Sequence, residues 1–316
     1  MAERTAWSSP YLLLTLATLF WAGNFVLARA MHEMIPPMAM AFWRWTLAAA
    51  LLLPFGWRRA LAQRELVRRG LPALVALGLL GVAGFNTLVY TALTTTTATN
   101  AVLLNSAMPA VIVALSWAVL GERITRVQAL GLAISFAGVV TIVARGEWAG
   151  LLALTVTPGD LWVLAAVLSW SAYTVLLRWR PPGLDPVAFL TVIVPVGCVA
   201  LLPLYLWERS GGAAVEISGA VFVSLAYFAV FPSLASYLCW NRAVAEVGPS
   251  RAGLFIHLMP VFGTVLAVAF LGERPQPFHG VGIVLVFGGI YLTTRVAGRA
   301  RLPGGAGCDE IGPRGP

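Results

Sequence analysis

The chain has 316 residues, 59% of them hydrophobic and 11% charged, with a mean hydropathy of +0.84, whereas a soluble domain carries about 25% charged residues. This excludes a large soluble catalytic domain and implies an all-α integral membrane protein, because at about 20 residues per crossing the length holds about ten spans and little else. The 21 basic residues are all Arg, set against 13 Asp and Glu for a net charge of +8, but they fall in loops and at span ends, where topology charges belong, so no nucleic-acid partner is implied.

Apolar runs of spanning length occur at about 11–31, 38–55, 71–93, 98–120 and 127–144, and again at about 159–179, 186–207, 218–240, 250–271 and 278–296. Only Arg4 precedes the first run and no small-residue cleavage site follows it, so it reads as a retained helix. The connection from Arg58 to Arg69 reads as a loop between spans 2 and 3. Thr94 to Thr97 reads as a turn, and the Gly, Pro and Arg after about 298 as a disordered tail.

Assigned to alternate faces, Arg4, the Arg58–Arg69 group, Arg123, Arg126, Arg178, Arg180, Arg242, Arg251 and the Arg residues from 295 onward share the side of the N-terminus, sixteen in all. The other side receives Arg29, Arg145, Arg209 and Arg274. Both termini are therefore expected in the cytoplasm of a bacterial inner membrane. Cys198, Cys239 and Cys308 have no C-x-x-C spacing, and neither a metal site nor a disulfide framework follows.

Set against itself at an offset of 151, the chain aligns Met108-Pro109 with Met259-Pro260 and Leu120-Gly121-Glu122-Arg123 with Leu271-Gly272-Glu273-Arg274. Over 100–143 against 251–294, 13 of 44 positions are identical without a gap. At an offset of 149, Trp21, Val26, Leu27 and Arg29 meet Trp170, Val175, Leu176 and Arg178. Each unit holds five spans, an odd number, so the second enters the membrane with opposite orientation. The expected organisation is 1–147 and 148–297 as two inverted five-helix repeats, with 298–316 as a tail. Such repeats let two bundles open a shared midplane cavity to alternate faces, which is transporter logic.

At the duplicated Leu-Gly-Glu-Arg, each copy following a mid-span Pro and preceding a Gly-spaced span, the sequence resembles the drug/metabolite transporter superfamily in its EamA-type ten-helix form, over about residues 10–296. Within it the chain looks like the YddG-type exporters, whose family role is to release aromatic and other amino acids. The resemblance implies a helical basket around a central cavity, with spans 5 and 10 packed behind as scaffolding.

Polar side chains inside spans are the default functional candidates. Span 1 carries Trp21 and Asn24, and span 6 carries Trp170 and Tyr173 at the same spacing of three, which shares a helix face. A ring beside an amide or hydroxyl suits a flat, neutral substrate; the alternative is helix packing. Asn86 and Tyr90 on span 3 and Ser233, Ser236 and Tyr237 on span 8 extend the set, although serines can also bond their own helix. Asn105 and Ser106 precede Pro109, and His257 precedes Pro260, so each proline can kink its helix beside the cavity. Arg44, between Trp43 and Trp45, is expected to snorkel outward, its alternative being a substrate carboxylate. Gly78, Gly81 and Gly84, and Gly131 and Gly138 with Gly282, Gly288 and Gly289, read as close helix contacts, and Glu122 and Glu273 as caps or ion-pair partners.

All 13 carboxylates lie in loops, tails or span ends, which disfavours a proton-relay antiporter; His257 is expected to be a neutral hydrogen-bonding group, its alternative being a proton carrier. There is no H-E-x-x-H and no G-x-S-x-G, so no catalytic residues and no cofactor are expected. The combined expectation is an exporter of neutral metabolites, foremost large neutral amino acids, acting as a monomer in the bilayer. A broader, proton-coupled drug exporter is the alternative.

Overall fold

The computed structural model describes residues 9–31, 33–93, 95–96, 98–144, 157–271, 274 and 276–299. Arg4, Thr94, Thr97, Arg145, Glu147, Glu273 and the tail from 300 onward lie outside the described residues. Among the described residues, ten helices are long and apolar enough to cross a membrane: α1 Pro10–Ala28, α2 Pro37–Ala62, α3 Arg64–Ala92, α4 Ala101–Leu120, α5 Arg126–Val143, α6 Pro158–Trp179, α7 Pro186–Ser210, α8 Gly219–Val247, α9 Pro249–Phe270 and α10 Pro277–Thr294.

Local chemistry sets their ends. Proline, with its fixed φ and missing N–H, opens α1, α2, α6 and α7. Asp185 caps α7 by accepting from the N–H groups of Val187 and Ala188 at 2.9 and 3.0 Å. A capping box opens α5: Thr125 Oγ1 accepts from Gln128 N, and Gln128 Oε1 from Thr125 N. Within Leu120-Gly121-Glu122-Arg123 the glycine is the stop signal. Gly121 has φ +69°, and the paired bonds Gly121 N to Trp117 O and Glu122 N to Ser116 O close α4.

Three expectations need correction here. Arg58 to Arg69 are helical, because Arg, Ala and Leu favour helix and nothing breaks it except a turn at Gln63. Glu122 caps no helix; it accepts a hydrogen bond from Ser250 Oγ at 3.4 Å, and Thr125 does the capping. Gly288 would meet nothing with an added Cβ.

The other scaffold glycines do make backbone contacts. A Cβ on Gly138 would lie 2.7 Å from the Gly282 carbonyl oxygen, and one on Gly131 would strike Gly289 O at 2.6 Å. These positions stand at the 151 offset, and the contacts are crosswise: Gly131 with Gly289, Gly138 with Gly282. Reciprocity of that kind is what a two-fold relation produces. It also makes α5 and α10 antiparallel.

The main remaining contacts keep the same exchange. α2 packs on α7, and α4 on α9; α1 packs on α8 and α9, as α6 packs on α3 and α4; α3 touches α7 as α8 touches α2. Renumbering each helix of one half as its counterpart leaves this pattern unchanged. Local irregularities obey it too. A π-helical turn occupies Gly78–Gly84 in α3 and Ala229–Ala235 in α8, 151 residues apart. α4 breaks at Ser106-Ala107, and α9 tightens to a 3₁₀ turn at Phe255–His257, each just before its proline.

Gly138→Val should therefore lower the detergent melting midpoint by a few degrees or more, since overpacking costs about 1–3 kcal/mol. Gly288→Ala should leave it unchanged or slightly higher. Equal melting of Gly138→Val and wild type would show that α5 and α10 do not meet at this glycine.

Candidate functional site

A cavity of about 800 Å³ lies among α1, α2, α3, α4, α6, α8 and α9. Its first-half wall comes from the far ends of α1 and α3 and the near ends of α2 and α4, and it reaches the α1–α2 connection, where Ile35 and Pro37 line it. It therefore occupies the half of the bundle remote from the N-terminus. α5, α7 and α10 contribute no lining residue.

An aromatic cluster forms the inner wall. The rings of Trp21 and Trp170 meet edge to face at 5.0 Å, Trp170 lies 5.3 Å from Phe85 and 5.6 Å from Tyr237, and Tyr237 meets Trp45 at 5.0 Å. Such edge contacts stabilise ring pairs beyond their buried area. Trp21 donates its indole N–H to the Pro232 carbonyl at 3.0 Å, and Tyr237 donates to the carbonyl of Gly81. Both acceptors lie in the π-helical turns. The Trp170 indole makes no hydrogen bond to the described residues.

Of the residues singled out in the sequence, Trp21, Asn24, Asn86, Tyr90, Asn105, Trp170, Tyr237 and His257 line the cavity. Asn86 Nδ2 donates to Val82 O at 2.7 Å, which leaves its oxygen free to accept. Asn105 Oδ1 is buried without a partner among the described residues. Tyr90 points its hydroxyl at Met40 Sδ, 3.7 Å away.

Tyr173 and Ser236 stand elsewhere. Tyr173 is fully buried behind Trp170, its hydroxyl donating to Asn241 Oδ1 at 2.8 Å and its ring pressed on Gly81. Ser236 donates to the carbonyls of Phe231 and Ala17 at 3.0 and 3.3 Å. Ser233 is likewise off the cavity wall, bonded to Phe228 O at 2.8 Å. Pro232 has no N–H to offer that carbonyl, and the serine hydroxyl supplies a donor.

His257 is buried between α4 and α5. Its Nε2 lies 3.0 Å from Ser106 O, an acceptor only, so Nε2 carries hydrogen. Its Nδ1 faces Ser135 Oγ at 2.8 Å, and that hydroxyl also reaches Leu132 O at 3.0 Å.

Arg44 overturns the snorkelling expectation. It is 3% exposed and lines the cavity, donating from Nε to Ser233 Oγ and from Nη1 to Asn24 Oδ1, both at 3.0 Å, with its guanidinium 5.4 Å from the Trp45 ring. Trp43, 40% exposed, faces outward while Trp45 is fully buried, so the residue between them turns with the buried face. The partners that hold it lie 20 and 189 residues away, where no local spacing reveals them.

The EamA-like transporter family model matches this chain twice, over residues 8–144 and 157–295. A protein of Archaeoglobus fulgidus named an uncharacterized transporter is 33% identical, the alignment covering 91% of this chain and 98% of that protein. A probable terminal-alkyne amino-acid exporter of Streptantibioticus cattleyicolor is 30% identical over 92% of this chain and 94% of its own. A probable amino-acid metabolite efflux pump of Salmonella typhimurium is 24% identical, with 92% and 98% covered. A solved crystal structure matches with a TM-score of 0.76 at 22% identity, covering 93% of this chain and 99% of that one, and shares the fold. With two family matches spanning its ten helices, the chain is a multi-pass membrane protein that belongs to the EamA-like transporter family.

Proposed function

We propose that the protein exports neutral metabolites, foremost aromatic and other large neutral amino acids, across a bacterial inner membrane with both termini cytoplasmic. The observation that carries this reading is the aromatic-walled cavity of about 800 Å³ with amides and a hydroxyl set among its rings. That size lies in the range of small-molecule sites, and the mixture of apolar wall and few polar groups is what such sites require. Relatives named as an amino-acid exporter and an amino-acid metabolite efflux pump support the substrate class.

Residues 1–147 and 148–297 are taken as inverted five-helix repeats, with 298–316 as a cytoplasmic tail. The crosswise glycine contacts and the paired π-helical turns support this division. A cavity confined to one half of the membrane is one state of an alternating-access cycle; in the other state the repeat-related Tyr173 and Asn241, bonded here, would part. Among the described residues none that lines the cavity is Asp or Glu, which supports facilitated movement down the substrate's own gradient, and the acting unit is taken as a monomer.

One observation favours a second reading, proton-coupled efflux of a wider set of drugs and metabolites. The Ser135 hydroxyl can donate to a neutral His257, or turn to Leu132 O and accept from a charged one.

In proteoliposomes, labelled tryptophan and phenylalanine should move saturably and without regard to an imposed pH gradient; cationic dye flux that requires the gradient would replace this reading by the second. Trp170→Ala should reduce tryptophan flux at least about tenfold while leaving membrane insertion unchanged, although its melting midpoint should fall because a ring only 4% exposed is lost from the cluster. Wild-type flux in that variant would remove Trp170 from the site. In intact cells, Asn24→Cys and Tyr90→Cys should react with a membrane-impermeant thiol reagent and be protected by substrate, whereas Tyr173→Cys should be inert from outside. Equal reactivity of all three would contradict the one-sided cavity.

A further inference from the structure

Arg44 is the one permanently charged side chain among the cavity residues, and it has no counter-ion among the described residues, whose ion pairs join Arg59 to Asp185, Arg69 to Glu65 and Arg242 to Glu246. A cation inside a span is costly and is retained where it meets a partner or a substrate. Its two protein partners are neutral and leave it unfinished. Nε and one Nη1 hydrogen are used on Ser233 Oγ and Asn24 Oδ1, so three of the five guanidinium N–H groups have no partner among the described residues.

The partners also fix its aim. The Ser233 proton is held by Phe228 O, so this hydroxyl can only accept from Arg44. Asn24, whose oxygen accepts from Arg44, presents its own NH₂ beside the guanidinium. Asn86 and Asn105 also line the cavity, the carbonyl oxygen of Asn105 buried and without a partner among the described residues. The fold does not demand this charge, because the repeat-related positions 193–195 read Ile-Val-Pro.

We infer that the free side of Arg44 receives a carboxylate of the substrate, so that the transported molecule is an acid, a zwitterion in the amino-acid case, with its apolar body against Trp21 and Trp170. A planar guanidinium fork matches a carboxylate with two parallel hydrogen bonds, and a charge-assisted pair is about twice as strong as a neutral one. This deepens the exporter reading and rests on it.

The test uses acid and amide pairs in proteoliposomes: tryptophan with tryptophanamide, leucine with leucinamide, and indole-3-propionate as a carboxylate without an amine. Each competes with labelled tryptophan in wild type, Arg44→Gln and Arg44→Lys. In wild type the acids, indole-3-propionate included, should compete about tenfold or more better than the amides. Arg44→Gln should bring acid and amide within about threefold, and Arg44→Lys should restore part of the gap. Equal competition by acid and amide in wild type would overturn the inference while leaving amino-acid transport standing, and this comparison needs no variant to fold. Full discrimination in a folded Arg44→Gln would overturn it as well. Absence of tryptophan and leucine flux in wild type would instead defeat the exporter reading and this inference with it.

Discussion

Hydrocarbon offers no partner to a backbone N–H or C=O, so every irregular turn inside this bundle has to be completed by protein groups. Among the described residues four such places lie inside the spans: the π-helical turns in α3 and α8 and the breaks in α4 and α9. Part of the completion is local, Ser233 Oγ donating to Phe228 O and Ser236 Oγ to Phe231 O, and part comes from the opposite half of the chain. Leu80 O accepts from Ser169 and Gly81 O from Tyr237; Pro232 O accepts from Trp21; Ser106 O accepts from His257. These four bonds therefore both repair the helices and join the halves. They gather at the inner wall of the cavity, since irregular backbone at this depth is tolerated where it is buried in protein or lines a cavity.

This double duty separates residues that look alike in the sequence. Trp21 and Trp170 correspond and touch, but the Trp21 indole holds a backbone carbonyl and that of Trp170 does not. Loss of Trp21 leaves a buried acceptor without its donor, a cost of about 1–3 kcal/mol on top of any effect on substrate. Trp170 is thus the cleaner probe of function. The same distinction holds between Asn24, whose oxygen orients Arg44, and Tyr173, which closes on Asn241.

Spans, glycine contacts and most of the cavity wall were legible in the sequence because they follow from local quantities: hydropathy over about 20 residues, a fixed offset, and polar atoms rare enough inside spans to stand out. Arg44 was not, since its direction depends on Ser233 and Asn24, distant in the chain. Tyr173 was misplaced by the spacing rule. Three residues do put it on the face of Trp170, yet that face is wide, and its further edge meets α8 at Asn241. The π-helical turns left no sign beyond Pro232 in α8 and, in α3, Gly78, Gly81 and Gly84, whose role in letting α3 approach Tyr173, Ile193 and Ser169 was read correctly from their small size.

The two halves share a backbone pattern and differ in the chemistry hung upon it. At the repeat-related positions Asn24 meets Tyr173, Tyr90 meets Asn241, and Arg44 meets an uncharged Ile-Val-Pro. If the halves exchange conformations, the cavity facing one side carries a guanidinium and the cavity facing the other does not, so affinity for an acid differs between the two states. Such a difference shifts how the protein divides its time between them, by the differential binding free energy and no more. It cannot by itself drive net movement, because over a closed cycle the affinities cancel. Without a coupled ion, direction is set by the substrate gradient, and the asymmetry sets instead on which side the empty carrier waits and at what concentration it fills.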